Sequence, residues 1–233
     1  MRLAILSDIH ANLPALEAVL ERADELHAGD IMCLGDTVGY GPFPQECLEL
    51  VRRRCDVVLQ GNHDSGLIGE TSIEDFNHYG VQALLWSRER VSVEGHDYIR
   101  TLPYVHEKGD ATFVHASPAA PERWRYVLSL RAAHENFQAF STRICFIGHS
   151  HVPVVIPEEG NINEYRPGHR HIINVGSVGQ PRDGNPYASF GLYDPDADLF
   201  ELVRVPYDIA KTARAIRDAG LPEFLAARLF KGL

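Results

Sequence analysis

The chain has 233 residues, is 45% hydrophobic and carries a formal net charge of −10, so it holds enough apolar residues for a full core. That acidic balance argues against long nucleic acid or an anionic membrane surface as a partner, because both need a basic face. No apolar run reaches the roughly eighteen residues of a membrane span. Met1-Arg2-Leu3 opens straight into a strand pattern with no cleavage site, which points to a cytoplasmic protein.

The first strand is expected over Leu3–Ser7. From Leu13 to His27 the apolar residues Leu13, Leu16, Val19, Leu20 and Ala23 recur at helical spacing, with Pro14 in the first turn. The apolar run Ile31–Leu34 reads as a second strand, Pro44–Arg54 as a second helix and Val57–Gln60 as a third strand. Such βαβαβ order predicts a largely parallel sheet with right-handed crossovers. From 65 to 110 the pattern weakens: Glu74–Trp86 reads as a helix, and Val91–Arg100 fits a helix or a strand. Strands follow at 111–115, 143–147, 152–156, 171–175, 188–193 and 198–204, interrupted by a helix over Leu130–Phe140. Tyr207–Leu233 reads as two short helices broken at Gly220-Leu221-Pro222. Their apolar faces suit either the second sheet or a partner. Residues 1–233 are thus expected to form one α/β domain, two sheets face to face with helices outside. Cys33, Cys47, Cys55 and Cys145 form no C-x-x-C pair and read as reduced thiols.

Chemistry gathers where strands end, the place where open α/β sheets bind their ligands. Five apolar runs finish in Asp, Asn or His: Asp8-Ile9-His10, Gly35-Asp36, Gly61-Asn62-His63-Asp64, His115, and Gly148-His149-Ser150-His151. Two divalent ions held close together need oxygen and nitrogen donors and a shared carboxylate, and Asp36 is the natural bridge. Asp8 and His10 lie two apart, so both point to one side if the chain is still extended there; His149 and His151 share that spacing. Asn62 offers a carbonyl oxygen and His115 a ring nitrogen. A single histidine at a strand end is more often a hydrogen-bonded structural residue. His169 and His171 alternate in the same way and are read as surface residues.

In kind, order and spacing these blocks, spanning residues 8 to 151, resemble the five motif blocks of the calcineurin-like metallophosphoesterases. The resemblance is closest to the small bacterial and archaeal phosphodiesterases. It implies a four-layer α/β/β/α sandwich of two mixed sheets flanked by helices. It also implies a ligand split: Asp8, His10, Asp36 and His151 on one ion, and Asp36, Asn62, His115 and His149 on the other. Manganese leads as the metal, with iron, zinc, nickel or cobalt as alternatives, because the mixed donor set does not choose among them. By the same resemblance His63 is the catalytic side chain, facing the substrate phosphate and assisting the departing oxygen while a metal-activated hydroxide attacks phosphorus.

One departure counts against a protein phosphatase. The second block of those relatives reads G-D-x-V-D-R-G, and Gly39 and Tyr40 stand here in place of its second Asp and its Arg. Three residues are candidate substrate contacts. Arg182 lies in the loop Gly179-Gln180-Pro181-Arg182-Asp183-Gly184. Arg123, with Arg125 around Trp124, suits a phosphate and a stacked base. Asn12 lines the site or caps the helix beginning at Leu13, the cap being favoured. The function expected is a phosphodiesterase acting on small phosphodiesters or nucleotides. The alternatives are asymmetric hydrolysis of dinucleoside polyphosphates such as diadenosine tetraphosphate, and a non-catalytic metal-binding scaffold.

Overall fold

Strand β1 (Leu3–Leu6) lies at the centre of the first sheet, and its alternation sets the layering. Leu3 and Ile5 face one way, into a cluster shared with the second sheet. Ala4 and Leu6 face the other, against helices. Both faces are buried, which is why the run is apolar throughout rather than alternating. The computed structural model describes residues 1–74 and 76–233.

In the first sheet β1 pairs in parallel with β2 (Asp30–Cys33), and β2 with β3 (Val57–Val58). On its other side β1 pairs antiparallel with β9 (Ala188–Asp194), which pairs with β10 (Leu199–Val205). The second sheet runs β4 (Val105–Lys108), β5 (Ala111–Val114), β6 (Ile144–Ile147), β8 (His171–Asn174), β7 (Val154–Pro157). Its central strands β5, β6 and β8 are parallel, and its two edge strands are antiparallel. Both sheets are therefore mixed, as expected.

Ile5, Met32 and Leu34 of the first sheet meet Phe113, Phe146 and Ile173 of the second. Phe113 and Phe146 stack with centroids 5.4 Å apart. Each such buried side chain contributes about 1.5–3 kcal/mol by leaving water. Outside the first sheet lie α1 (Leu13–Glu25) and α2 (Pro44–Arg54), through Leu16, Val19, Cys47 and Val51. Outside the second lies α6 (Leu130–Asn136), through Ala133.

Several expectations shift. The segment left open as helix or strand is helix α5 (Val93–Arg100), started by Ser92, whose Oγ accepts the Gly95 N–H at 3.0 Å. The helix expected from Glu74 begins later, as α4 (His78–Arg88), because the Asn77 side chain accepts the Gly80 N–H at 2.9 Å and caps it there. Asp75, inside the expected span, lies outside the described residues. A short helix α3 (Asn62–Ile68) and strand β4 have no counterpart in the reading of the sequence. His171 is buried rather than on the surface: its Nε2 accepts the Arg166 N–H, its Nδ1 donates to the His169 carbonyl, and its ring stacks on Tyr165.

The two C-terminal helices, α7 (Ile209–Asp218) and α8 (Glu223–Leu229), cover the region around Tyr40 and Ala83 rather than the second sheet. Gly220, at φ +71°, makes the break between them. Among the described residues no helix is long and apolar enough to cross a membrane.

Candidate metal centre

All seven expected ligands, Asp8, His10, Asp36, Asn62, His115, His149 and His151, are buried. They follow the C-terminal ends of β1, β2, β3, β5 and β6. The chain is not extended there, contrary to the reading of Asp8 and His10. Asp8, His10, Asp36, His149 and His151 have φ of 56°, 48°, 54°, 65° and 61°. These are left-handed conformations, which cost roughly 1–2 kcal/mol each for residues with a Cβ. The tight turns, not strand alternation, aim the side chains into one space. Gly148 permits the closest approach, since a Cβ there would lie 1.9 Å from Ser7 Oγ.

Backbone carbonyls orient three of the imidazoles. His10 Nδ1 donates to the Val38 carbonyl at 3.0 Å, His115 Nδ1 to Leu34 at 3.1 Å and His151 Nδ1 to Gln180 at 2.6 Å. A carbonyl only accepts, so Nδ1 carries a proton in all three and each ring turns its Nε2 toward the site, as a lone pair in His10 and His151. The Nε2 atoms of His10 and His151 lie 3.1 Å apart with no proton for either to share. Asp8 Oδ1 sits 3.3 Å from His151 Nε2, buried and without a hydrogen-bond donor. Lone pairs converging with no donor between them fit a cation.

A second group, Asp36, His115 and His149, lies beside the first. Asn62 Oδ1 is 3.2 Å from His115 Nε2, and His149 Nε2 is buried without a partner. Asp36 faces both groups: its Oδ2 is 3.6 Å from His10 Nε2 and 3.4 Å from His115 Nε2.

The charges follow from this crowding. Burial above all drives His10 and His151 well below the ordinary imidazole value and His149 to about 3, so these rings are neutral and able to ligate. Burial also opposes charge on His115, but the Asp36 carboxylate outweighs it and raises His115 to about 9. Asp36 is likewise opposed by burial, yet the imidazoles around it, His115 foremost, hold its carboxyl well below the usual range. Burial raises Asp8 to about 7, with the Asp36 charge adding to it.

His63 packs against the rings of His10, Tyr40 and Phe76 at 4.8, 4.6 and 4.7 Å. Burial lowers it to about 4, and its Nδ1 has no partner. Gly39, at φ +86°, lies so close that a Cβ there would sit 2.4 Å from that nitrogen. The Asp missing at position 39 is thus matched by a ring that leaves no room for a side chain there.

The candidate substrate contacts part company. Arg182 comes to the site: its backbone N–H donates to the His151 carbonyl at 3.2 Å, its guanidinium donates to Gln180 Oε1 at 2.9 Å and lies 5.6 Å from the Tyr40 ring, and its Nε is buried without a partner. Arg123 is exposed, on the rim of a 260 Å³ cleft that Asn62, His63 and His149 also line. Asn12 takes the favoured role of helix cap. Its amide donates to the Gly179 carbonyl and Tyr207 Oη, and its carbonyl accepts from the Ala15 N–H and Thr212 Oγ1. Both amide protons are spent inside the fold, and the residue caps α1.

Other supports carried no obvious signal. Asp64 accepts the backbone N–H groups of Asp36, Gly61, Thr37 and Val38 at 2.8, 3.0, 3.0 and 3.2 Å. Burial and the Asp36 charge push its carboxyl up to about 7, but four donors on two oxygens favour the ionised form. It stands in the first turn of α3, three after Gly61. Asn174 Nδ2 donates to the Gly148 carbonyl at 2.6 Å, and Ser177 Oγ to the Asp8 carbonyl at 2.8 Å, so the Asn174–Ser177 stretch braces two ligand loops.

Layered sheets with this donor set at their strand ends are those of a metallophosphoesterase. The chain belongs to the calcineurin-like phosphoesterase superfamily, whose domain matches residues 1–198. Among its relatives is the uncharacterized protein MJ0912 of Methanocaldococcus jannaschii, 40% identical across 99% of this chain and 98% of that one. Phosphodiesterase YfcE of Escherichia coli is 27% identical across 84% of this chain and 89% of its own. The crystal structure of a metallophosphoesterase from Sphaerobacter thermophilus matches with a TM-score of 0.89 and 44% identity, covering 100% of this chain and 99% of the other.

Proposed function

We propose that this protein is a dinuclear metal-dependent phosphodiesterase that hydrolyses small phosphodiesters. The observation that carries the reading is Asp36 Oδ2, within 3.6 Å of His10 Nε2 and 3.4 Å of His115 Nε2, a single carboxylate oxygen facing two donor groups. Asp8, His10, Asp36 and His151 would hold one ion, and Asp36, Asn62, His115 and His149 the other. Manganese suits the oxygen-rich share of this set, and iron, zinc, nickel or cobalt suit its imidazoles. When bound, such ions supply Lewis acidity and bring the pKa of water toward about 7.

The chain's own residues do the rest. His63 shares the cleft with Asn62 and His149 and, as a neutral ring, offers one N–H to a phosphoryl or leaving oxygen. Arg182, whose guanidinium lies 5.6 Å from the Tyr40 ring, adds fixed positive charge beside the cleft for an anionic phosphate. That YfcE is a phosphodiesterase supports the same class. We read residues 1–233 as one domain, and the four free thiols support a reducing, cytoplasmic setting.

The test is hydrolysis of bis(p-nitrophenyl) phosphate against p-nitrophenyl phosphate with manganese added, beside Asp36→Asn. Faster diester turnover that is lost in the variant is the expected result. Preference for the monoester would make the protein a phosphomonoesterase. Faster cleavage of diadenosine tetraphosphate than of the diester would make it a dinucleoside polyphosphate hydrolase. No turnover in protein shown to bind two ions would leave the scaffold reading.

A further inference from the structure

The cleft beside the metal centre has walls that the hydrolysis of a bare diester does not call for. Four aromatic rings, Tyr40, Phe76, Trp124 and Tyr126, line its 260 Å³, together with Asn77, whose amide donates to Tyr40 Oη at 3.0 Å, and the exposed Arg123. Tyr126 stacks on His149, with centroids 4.0 Å apart and planes inclined by 22°, while half of its surface stays exposed. A flat aromatic surface therefore begins at a candidate metal ligand and continues outward.

Trp124 is fixed in place. Its Nε1–H donates to Thr71 Oγ1 at 3.0 Å, and Thr71 Oγ1 is in turn 2.7 Å from Ser65 Oγ. Its ring also meets Tyr104 and His115 edge-on. The segment that carries it holds Ala120 at φ 60° and Trp124 at φ 53°, two left-handed residues with side chains. Strain of this kind persists where the surroundings over-determine it, typically at ligand clamps.

We propose that this cleft is a nucleobase subsite and that the natural substrate is a nucleoside phosphodiester. Its base stacks against Tyr126 and Trp124 while its phosphate reaches the metal centre. The inference rests on the phosphodiesterase reading above and narrows it. Rigid π-faces with a few interspersed donors and acceptors suit a base. An acyl chain would call for aliphatic walls, and a second sugar for denser hydrogen bonding. Arg123 at the rim suits a base edge or a second phosphate oxygen.

The experiment compares two diesters that differ only in the base: the methyl ester of adenosine 5′-monophosphate and the methyl ester of ribose 5-phosphate, both on manganese-loaded full-length protein. The wild type is expected to favour the base-bearing ester by roughly ten- to a hundredfold in kcat/KM, chiefly through KM. Tyr126→Leu and Trp124→Leu are each expected to collapse that ratio toward one. Equal kcat/KM for the two esters in the wild type overturns the subsite and leaves the phosphodiesterase standing. No turnover of either ester, or of the chromogenic diester, sinks the phosphodiesterase itself.

A readout without turnover settles the subsite separately. The chain has two tryptophans, so Trp86→Phe leaves Trp124 as the sole reporter. Adenosine 5′-monophosphate should quench its fluorescence where ribose 5-phosphate does not. Equal responses to both overturn the proposal.

Discussion

Asp64 Oδ2 accepts the backbone N–H of Asp36 at 2.8 Å, so the residue that faces both donor groups is held in place by a carboxylate outside the proposed ligand set. Asp64→Ala removes no proposed ligand yet leaves four buried N–H groups without their acceptor. Each orphaned donor costs about 1–3 kcal/mol. Supports of this kind are worth roughly 10–100-fold in metal affinity. We expect metal retained after dialysis, measured by atomic emission, to drop accordingly, together with the melting temperature. Asp64→Asn should resemble the alanine variant, since its NH₂ would face two of those donors. Wild-type metal retention in both variants would show that the Asp36 loop holds itself.

The His10 and His151 lone pairs, 3.1 Å apart, give the metal-free protein a reason to be less stable than the loaded one. A ligand at a hundred times its Kd stabilises by about 2.7 kcal/mol. For a chain of this size that is a rise of roughly 5–10 °C in melting temperature. Chelation should remove the rise in the wild type and change little in His151→Ala. Identical melting curves with and without manganese would argue that these donors do not bind it.

Gly39 and Gly69 make a matched pair. Both have positive φ, +86° and +80°, but a Cβ at 39 meets His63 Nδ1 at 2.4 Å while one at 69 meets nothing within 4 Å. Each alanine pays a left-handed backbone cost of about 1 kcal/mol. Only Gly39→Ala should displace His63, lowering kcat by roughly 10²–10⁴ with metal content unchanged. Equal kcat in the two variants would remove His63 from the reaction.

Asp198 gives a pH prediction away from the site. It is partly buried, which opposes its charge, yet it accepts from Tyr165 Oη at 2.5 Å, from the Gly168 N–H at 2.6 Å and from Arg143. These donors hold its carboxyl below the ordinary value. A pKa lower in the folded than in the unfolded chain contributes stability above the unfolded value of about 3.9 and loses it as pH falls through the folded one. Asp198→Asn should therefore melt lower than wild type at pH 7, by about 1–3 kcal/mol, and the gap should close below about pH 4. A gap that is constant from pH 7 to pH 3 would show that packing, not charge, is what the variant loses.

The first half of the fold was legible because β1 and β2 are apolar on both faces and α1 keeps its helical stripe. The donor set was legible because Asp, Asn and His end five such runs. What aims them was not: alternation suggested extended chain at Asp8 and His10, and the turns are left-handed. α3 escaped notice because its buried residues Asn62, His63, Asp64 and Ser65 are polar, so no apolar period marks it. β4, Val-His-Glu-Lys on a sheet edge, is mostly exposed and reads as loop. Asp64, Asn174 and Ser177 spend their side chains on backbone groups, a use that sequence alone cannot tell from ordinary turn chemistry.

The path of the chain also has a consequence for how the centre comes into being. All seven donors have been synthesised once His151 is made, yet Ser177, which braces Asp8, and β9, which flanks β1, come later. A nascent chain stopped after the last donor holds every group the centre needs and lacks the neighbours that hold them in register. We therefore expect the proposed centre to assemble late in the making of the protein, and chains cut short before residue 194 to release fragments that carry the donors without the site.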